Sequence, residues 1–286
     1  MKIAFIGAGR LAQTLAAAFH VAGIEVSAVF NRSRTAADEF VKMAGGRTTI
    51  CATPQEAADL SDLIFIAVSD DAIGAMVRQI EWHQGQYVVH CSGASEVSVL
   101  DHAASQGAGT GGFHPLQIFA DPSIALPRVA GSSVAIEAEG PLELELTRLA
   151  AAVGYRVIKL PPGVRGRYHA ATNYAASFML SLLREACDLW NGFGVSDQDA
   201  LAALLPLTRG TLDAATAKGL AGAMAGPISR GDASVVALHL RELNTLGGDR
   251  ADFYRSVSMR QLRLARDKGH LDSAVLERLN KTLQES

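Results

Sequence analysis

The chain opens with an apolar run that leads directly into a glycine turn and then into a helical pattern. The turn has the form GxGxxA, with Gly7, Gly9 and Ala12 at its defining positions. The first glycine allows a tight turn, the second lets the backbone approach a pyrophosphate, and the small third residue allows close packing of helix and strand. The helix amino terminus, from Arg10 and Leu11 onwards, offers unpaired N–H groups to phosphates. The pattern predicts a dinucleotide site, with a purely structural turn as the alternative.

Short β-branched runs alternate with helical stretches through the first part of the chain. This alternation is typical of an α/β fold with a doubly wound parallel sheet, the Rossmann arrangement. Strands are predicted over residues 2–6, 25–30, 63–68, 87–90, 110–113, 133–136 and 156–159. Helices are predicted between them over residues 11–22, 34–44 and 71–80.

The alternation ends at residues 160–163, Leu-Pro-Pro-Gly, where adjacent prolines disfavour helix and strand alike. Helical patterns follow, beginning with 168–191 and ending with 251–283. A chain of 286 residues is long enough for two cores. We therefore expect a Rossmann domain over 1–160 and an all-helical substrate and dimerisation domain over 161–286.

The residues after the second predicted strand favour NADP over NAD. NAD enzymes usually place an acidic residue there on the ribose hydroxyls. This chain has Asn31, Arg32 and Ser33 instead, followed by Arg34. A guanidinium donates charge-assisted hydrogen bonds to a 2′-phosphate, which a carboxylate would repel. The alternative is that these arginines belong to an exposed loop without a ligand.

Two later strand ends are expected to lie near the cofactor, because ligands of open α/β sheets bind beyond the carboxyl ends of the strands. Val68 and Ser69 lie at the end of one predicted strand, and Ser92 and Gly93 lie just beyond the next. The acidic pair at 70–71 is more typical of a cap on the following helix than of catalysis.

Five segments together resemble a bacterial family of Rossmann-like proteins with a helical carboxy-terminal domain of unassigned function. They are VSDDAI at 68–73, HCSGA at 90–94, GFHPL at 112–116, HAATN at 169–173 and GPISRGD at 226–232. More distantly, the arrangement is similar to pyrroline-5-carboxylate reductases, β-hydroxyacid dehydrogenases, ketopantoate reductases and prephenate dehydrogenases, and is 6-phosphogluconate-dehydrogenase-like. The resemblance implies a homodimer built through the helices, but it implies no particular substrate.

His169, Asn173 and Ser177 recur every four residues, which places them on one face of a predicted helix. The β-hydroxyacid dehydrogenases have a similar helix with a catalytic lysine followed four residues later by asparagine. The resemblance implies that His169 takes the place of that lysine as general acid/base, while Asn173 orients the substrate or the imidazole. The alternative is a structural role for both residues.

His114 is a second catalytic candidate because it stands before Pro115, near a predicted strand end. Prephenate dehydrogenases have a similar His-Pro segment, although His114 could equally serve the turn that follows. Arg209 and Arg230 could clamp a substrate carboxylate, but capping and helix pairing are the commoner roles.

Charge and composition exclude several classes. The net charge of -3 offers no basic face for nucleic acid. The chain shows no secretory signal and no membrane span, and its three scattered cysteines suit a reducing cytoplasm. No histidine or cysteine spacing predicts a metal site.

The expected activity is hydride transfer between NADP(H) and a small oxo or hydroxy acid, or a related carbonyl compound. The arginines suggest an anionic small-molecule substrate. An imine reductase and a non-catalytic NADP(H)-binding redox sensor are the alternatives.

Overall fold

A computed structural model of the chain describes residues 1–285. Within this range it contains eight strands: β1 Ile3–Ile6, β2 Val26–Phe30, β3 Thr49–Ile50, β4 Leu63–Ile66, β5 Tyr87–His90, β6 Gly109–Leu116, β7 Ser133–Glu137 and β8 Arg156–Lys159. The α-helices of the first part are α1 Arg10–Val21, α2 Arg34–Met43, α3 Pro54–Asp59, α4 Asp70–Val77, α5 Asp101–Ser105, α6 Pro122–Ala125 and α7 Gly140–Ala152. Those of the second part are α8 Arg165–Ala175, α9 Ser177–Asn191, α10 Asp197–Ala223, α11 Pro227–Arg230, α12 Ala233–Leu246, α13 Arg250–Lys268 and α14 Ser273–Glu285.

All eight strands form one sheet, in the order β3-β2-β1-β4-β5-β6-β7-β8. Every neighbouring pair is parallel except β6 and β7, which are antiparallel. The predicted doubly wound sheet is confirmed, and each predicted strand is present. The sequence did not predict β3, which has only two residues, or the reversed direction of β7.

Aromatic rings fill the core on one face of the sheet. The rings of Phe5 and Phe65 are stacked with centroids 4.8 Å apart, and Phe113 meets Phe65 edge to face at 5.5 Å. On the opposite face Ile6 and Ile66 are likewise fully buried. Burying each such side chain contributes roughly 1.5–3 kcal/mol. Because β1 and β4 are covered on both faces, their sequences are continuously apolar rather than alternating.

The contacts divide the chain into two compact units, Met1–Met179 and Leu180–Ser286. The first unit includes α8, which follows the Leu-Pro-Pro-Gly segment. The second has its own core, built around Val236, Leu240, Leu262 and Leu279. The division into functional domains at residues 160 and 161 stays a prediction, and the division by contacts falls 19 residues later because α8 packs with the sheet unit.

Two predicted helices are each interrupted. The predicted helix over 168–191 is broken at Ala176, whose φ and ψ of −119° and −75° end α8 before α9 begins. The predicted helix over 251–283 ends at Gly269, which adopts φ 69° in a left-handed carboxy-terminal cap. Among residues 1–285, no helix is both long and apolar enough to cross a membrane.

Candidate active site

The two glycines of the GxGxxA turn are constrained differently. Gly7 has φ 107°, and a Cβ there would lie 2.3 Å from the carbonyl oxygen of Ala67. Gly9 has φ −72°, and a Cβ there would meet nothing within 4 Å. The fold therefore requires glycine at position 7, whereas Gly9 leaves open space at the amino terminus of α1.

A cavity of about 680 Å³ adjoins this turn at the carboxyl ends of β1, β2 and β4. We call it the cofactor crevice. The predicted cofactor residues that line it are Gly7, Gly9, Asn31, Arg32, Val68 and Ser69. Five other predicted residues, Arg10, Leu11, Ser33, Ser92 and Gly93, are not among its lining residues.

Asn31 links the glycine turn to the loop after β2. Its Oδ1 accepts a hydrogen bond from the backbone N–H of Ala8 at 3.2 Å, and its Nδ2 donates to the carbonyl of Ser33 at 3.0 Å. The Ser33 hydroxyl caps α2 instead of facing the crevice, since it accepts from the N–H of Ala36 at 3.3 Å. The sequence thus places two of its polar loop residues in structural hydrogen bonds.

The arginines of this loop differ in their partners. Arg34 forms an ion pair with Asp38 at 3.0 Å on the surface of α2. Arg32 lines the crevice, and its side chain has no hydrogen bond or ion pair within the described residues 1–285. An exposed guanidinium beside an open helix amino terminus suits a phosphate ligand.

A second cavity, of about 530 Å³, is lined by residues of β6, α8 and the segments that follow them. We call it the histidine pocket. Its polar lining includes His114, Tyr168, His169 and Asn173. All of these belong to the unit Met1–Met179. The structure therefore brings the three predicted catalytic residues together, and adds Tyr168 to them.

His114 lies on β6, and its ring is close to the rings of Tyr168 and His169 on α8. Its Nδ1 is 2.9 Å from the hydroxyl of Tyr168, and the two rings meet edge to face. The ring centroid of His169 is 6.3 Å from that of His114. A Cβ on Gly93 would lie 2.8 Å from both imidazoles, so glycine is the residue that fits between them. Gly93 therefore packs against two rings of the histidine pocket, although it is not among the residues that line the cavity.

Burial, together with the electrostatic influence of His169 and Arg165 and against the opposing influence of Asp70, lowers the pKa of His114 to about 4. Burial also raises the pKa of the Tyr168 hydroxyl. Both groups are consequently uncharged at neutral pH. A neutral imidazole and a phenol can exchange the direction of their shared hydrogen bond, as a proton relay requires.

Asn173 does not bond to the imidazole of His169. Its Nδ2 lies 3.5 Å from the backbone carbonyl of His169, which also accepts from the hydroxyl of Thr172 at 2.8 Å. Ser177 lines the same pocket, although it lies beyond the break at Ala176. Asn173 is therefore placed to meet a ligand in the pocket rather than to orient His169.

Arg165 is a buried charged residue beside the histidine pocket that the sequence did not reveal. It begins α8, its side chain is fully buried, and it forms an ion pair with Glu137. Its Nη1 also donates to the carbonyl of Ser92 at 2.9 Å. The available signal was the glycine pair at 111–112 inside a strand, since glycine in a strand marks a close approach by another group.

Arg230 and His90 have local partners. Arg230 forms an ion pair with Asp232 at 2.9 Å, at the end of α11. His90 is fully buried, and its Nδ1 accepts from the N–H of Ser92 at 3.2 Å. Within residues 1–285, no group of three or more histidine, cysteine or acidic side chains is arranged to hold a metal ion.

These features define a class: a Rossmann-like sheet with a cofactor crevice, followed by a helical carboxy-terminal region. Residues 2–93 match the family described as NADP oxidoreductase, coenzyme F420-dependent. Residues 132–261 match the family described as Domain of unknown function (DUF2520). The chain thus joins a segment of the first family to a segment of the second, with His114 lying between the two matched segments.

Solved structures share this fold over nearly the whole chain. A protein from Thermotoga maritima has a TM-score of 0.76 at 18% identity, covering 93% of this chain and 99% of its own. A reductive aminase from Aspergillus terreus, in complex with NADPH and ethyl-5-oxohexanoate, has a TM-score of 0.64 at 16% identity, covering 99% and 92%. Pyrroline carboxylate reductase from Plasmodium falciparum, with NADP bound, has a TM-score of 0.59 at 14% identity, covering 99% and 98%. Among curated proteins, no sequence matches significantly.

Proposed function

We propose that this protein is an NADP-dependent oxidoreductase that transfers a hydride between NADP(H) and a small oxo or hydroxy acid, or a related carbonyl compound. The observation that carries the proposal is the presence of two cavities in one unit. One is lined by the glycine turn and Arg32, and the other contains His114, Tyr168 and His169. The match of residues 2–93 to an NADP oxidoreductase family supports the general activity.

The cofactor crevice fits a dinucleotide phosphate. The space that a Cβ on Gly9 would fill leaves the amino terminus of α1 open to a pyrophosphate. Arg32 is the residue proposed to bind the 2′-phosphate, and no acidic side chain lines this cavity. Relatives solved with NADPH or NADP support this cofactor. When bound, NADPH supplies the hydride that the protein itself lacks.

The histidine pocket would donate the proton that the reduction requires and accept it in the reverse direction. In the proposed reduction, His169 donates a proton to the substrate oxygen as that oxygen gains negative charge, and it recovers the proton in the reverse direction. His114 and Tyr168 complete a polar wall at the same place. Asn173 is proposed to bind the substrate, because its amide also lines the pocket.

An imine reductase is the second candidate, and the structural relatives favour it. They include a reductive aminase and a pyrroline carboxylate reductase of the same fold. The same acid would then protonate nitrogen during reduction of a C=N bond. Both candidates use the two cavities in the same way and differ only in the substrate.

We also propose a homodimer built through the helical region. Helix α10 packs against α13 and is interrupted at Gly219, which has φ 71° and ψ 171°. Large apolar side chains are exposed on both sides of this interruption, with Leu207 69% and Leu220 71% exposed. Exposed leucines along this element indicate a surface that a second copy would remove from water. A reducing compartment such as the cytoplasm fits the three unpaired and buried cysteines, Cys51, Cys91 and Cys187.

The decisive experiment follows NADPH oxidation by absorbance across 2-oxo acids, 3-oxo acids and cyclic imines, with wild type beside His169→Ala. Turnover of one class that is lost in the variant would establish the activity, the substrate class and the acid. NADPH binding without any turnover would favour the redox sensor and leave His169 without a role.

The cofactor preference has its own control pair. Arg32→Ala is expected to weaken NADPH binding about tenfold to a hundredfold while NADH binding changes little, because a charge-assisted bond to phosphate is lost. Arg34→Ala removes a neighbouring charge that is already paired with Asp38, so it should change neither affinity appreciably. Equal losses of NADPH and NADH affinity in Arg32→Ala would rule out the 2′-phosphate contact.

A further inference from the structure

Arg165 carries a buried charge that the proposed chemistry does not use. Its side chain is fully buried, and a buried charge is costly unless it is paired and hydrogen bonded. Its Nε donates to Oε2 of Glu137, whose side chain is itself only 10% exposed. The free-energy cost of burying this charge indicates that the guanidinium has a role besides stabilising the fold.

The sheet provides a space for this guanidinium at Gly112. In the register of the sheet, Gly112 lies between His90 on β5 and Glu137 on β7. A Cβ on Gly112 would lie only 1.8 Å from Nη2 of Arg165. The guanidinium therefore occupies the place of a missing side chain on β6 and reaches across that strand to Glu137.

The same residue joins α8 to the loop after β5. Its Nη1 donates to the carbonyl of Ser92 at 2.9 Å. From the same loop, the carboxylate of Glu96 accepts the backbone N–H groups of Gly163 and Arg165, each at 3.1 Å. Arg165 of α8 thus binds the backbone of the loop, and Glu96 of the loop binds the backbone at the start of α8.

These connections end at the histidine pocket. Gly93 directly follows Ser92 and lies against the rings of His114 and His169. Tyr168 lies one helical turn beyond Arg165 and meets Nδ1 of His114. A shift of the Ser92–Gly93 backbone or of the first turn of α8 would therefore change the contacts of all three rings.

We propose that Arg165 is a positioning residue of the proposed active site, whose guanidinium fixes the Ser92–Gly93 backbone and the start of α8 so that the pocket rings meet around Gly93. Its expected effect on turnover rests on the proposed function, whereas its effect on the rings does not. Besides Arg165, the titratable groups close to His114 are His90, His169, Tyr168 and Asp70.

The test compares Arg165→Met with the double variant Arg165→Met/Glu137→Gln, which avoids leaving an unpaired buried carboxylate. Arg167→Met is the matched control, since Arg167 is an exposed residue two positions further along α8. Histidine-ring ¹⁵N spectra report the His114–Tyr168 hydrogen bond, and Tyr168→Phe supplies the spectrum of its loss. NADPH affinity, kcat and KM are measured on the same proteins.

In the double variant, we expect the Nδ1 signal of His114 to move to its position in Tyr168→Phe, with NADPH affinity within about twofold of wild type. We expect kcat to fall about tenfold to a hundredfold, since small misplacements of reacting groups have effects of that size. A folded double variant with the wild-type His114 signal would overturn the proposal. If wild type itself reduces no substrate, the proposed function fails, and the spectra still decide the role of Arg165.

Discussion

Gly7 and Gly9 belong to one turn but face different neighbours. A side chain at position 7 would collide with the backbone of Ala67, the residue that follows β4, and would require a positive φ. A side chain at position 9 would extend into the cofactor crevice without touching protein atoms. The fold therefore requires glycine at position 7, whereas at position 9, beside the crevice, it leaves space for a side chain.

Alanine substitutions should separate these two effects. Gly7→Ala is expected to lower the free energy of unfolding of the free protein by at least about 2 kcal/mol, because strain and a clash add together. Gly9→Ala should leave that free energy nearly unchanged but weaken NADPH binding severalfold. Urea unfolding and a cofactor titration measure the two quantities. Equal NADPH affinity in Gly9→Ala and wild type would contradict the phosphate approach at Gly9.

His90 predicts a specific dependence of stability on pH. Burial lowers its pKa from 6.5 to about 3, and the charges of Arg165 and His114 act in the same direction. Between these pH values the unfolded chain binds a proton that the folded chain does not. The free energy of unfolding should therefore fall as the pH drops from 6.5 towards 3, by about 1.4 kcal/mol per pH unit from this group.

His90→Gln is the variant that tests this dependence, since glutamine keeps a hydrogen-bond acceptor but does not titrate. Urea unfolding at pH 7 and pH 4.5 should show a smaller loss of stability in the variant than in wild type. The same loss in both proteins would mean that His90 is not the group responsible.

At the scale of elements, α8 depends on a carboxylate from a distant part of the chain. The carboxylate of Glu96 accepts hydrogen bonds from two backbone N–H groups at the start of this helix. Its negative charge also interacts favourably with the positive end of the helix dipole. Glu96→Gln is expected to reduce the thermal stability of the protein by the equivalent of about 0.5–2 kcal/mol. Glu139 is the N-cap residue of α7, and its side chain accepts no such bond at the start of that helix, so we expect almost no change in Glu139→Gln.

Elements that depend on residues close together in the sequence are easier to predict than features that depend on contacts between distant segments. The strands were predicted because their β-branched runs are local, whereas the break at Ala176 has no Gly or Pro signal. His114 and His169 were predicted from short motifs, but Arg165 was missed because its partner Ser92 lies 73 residues away. Ser33 was assigned to the cofactor although it caps α2, since a polar residue after a strand suits both roles. Local motifs thus predict the candidate residues, whereas the contacts between distant segments become visible only in the folded chain.

At the scale of the whole molecule, the proposed homodimer is open to direct measurement. Leu207→Glu places a charge on the exposed apolar side of α10 and is expected to shift the protein towards a monomer in light scattering. Leu144→Glu is the matched control, because Leu144 is 73% exposed on α7 of the first unit. A monomeric wild type, or equal masses for both variants, would contradict dimerisation through α10.

The packing of Arg165 over Gly112 has a consequence for how relatives of this chain can diverge. Any side chain at position 112 would displace the guanidinium, and a shorter residue at position 165 would leave a gap over the strand. Neither position can change freely while the other is kept. In an alignment of relatives, the two positions should therefore covary, with glycine at position 112 wherever arginine occupies position 165, although the two are 53 positions apart in the chain.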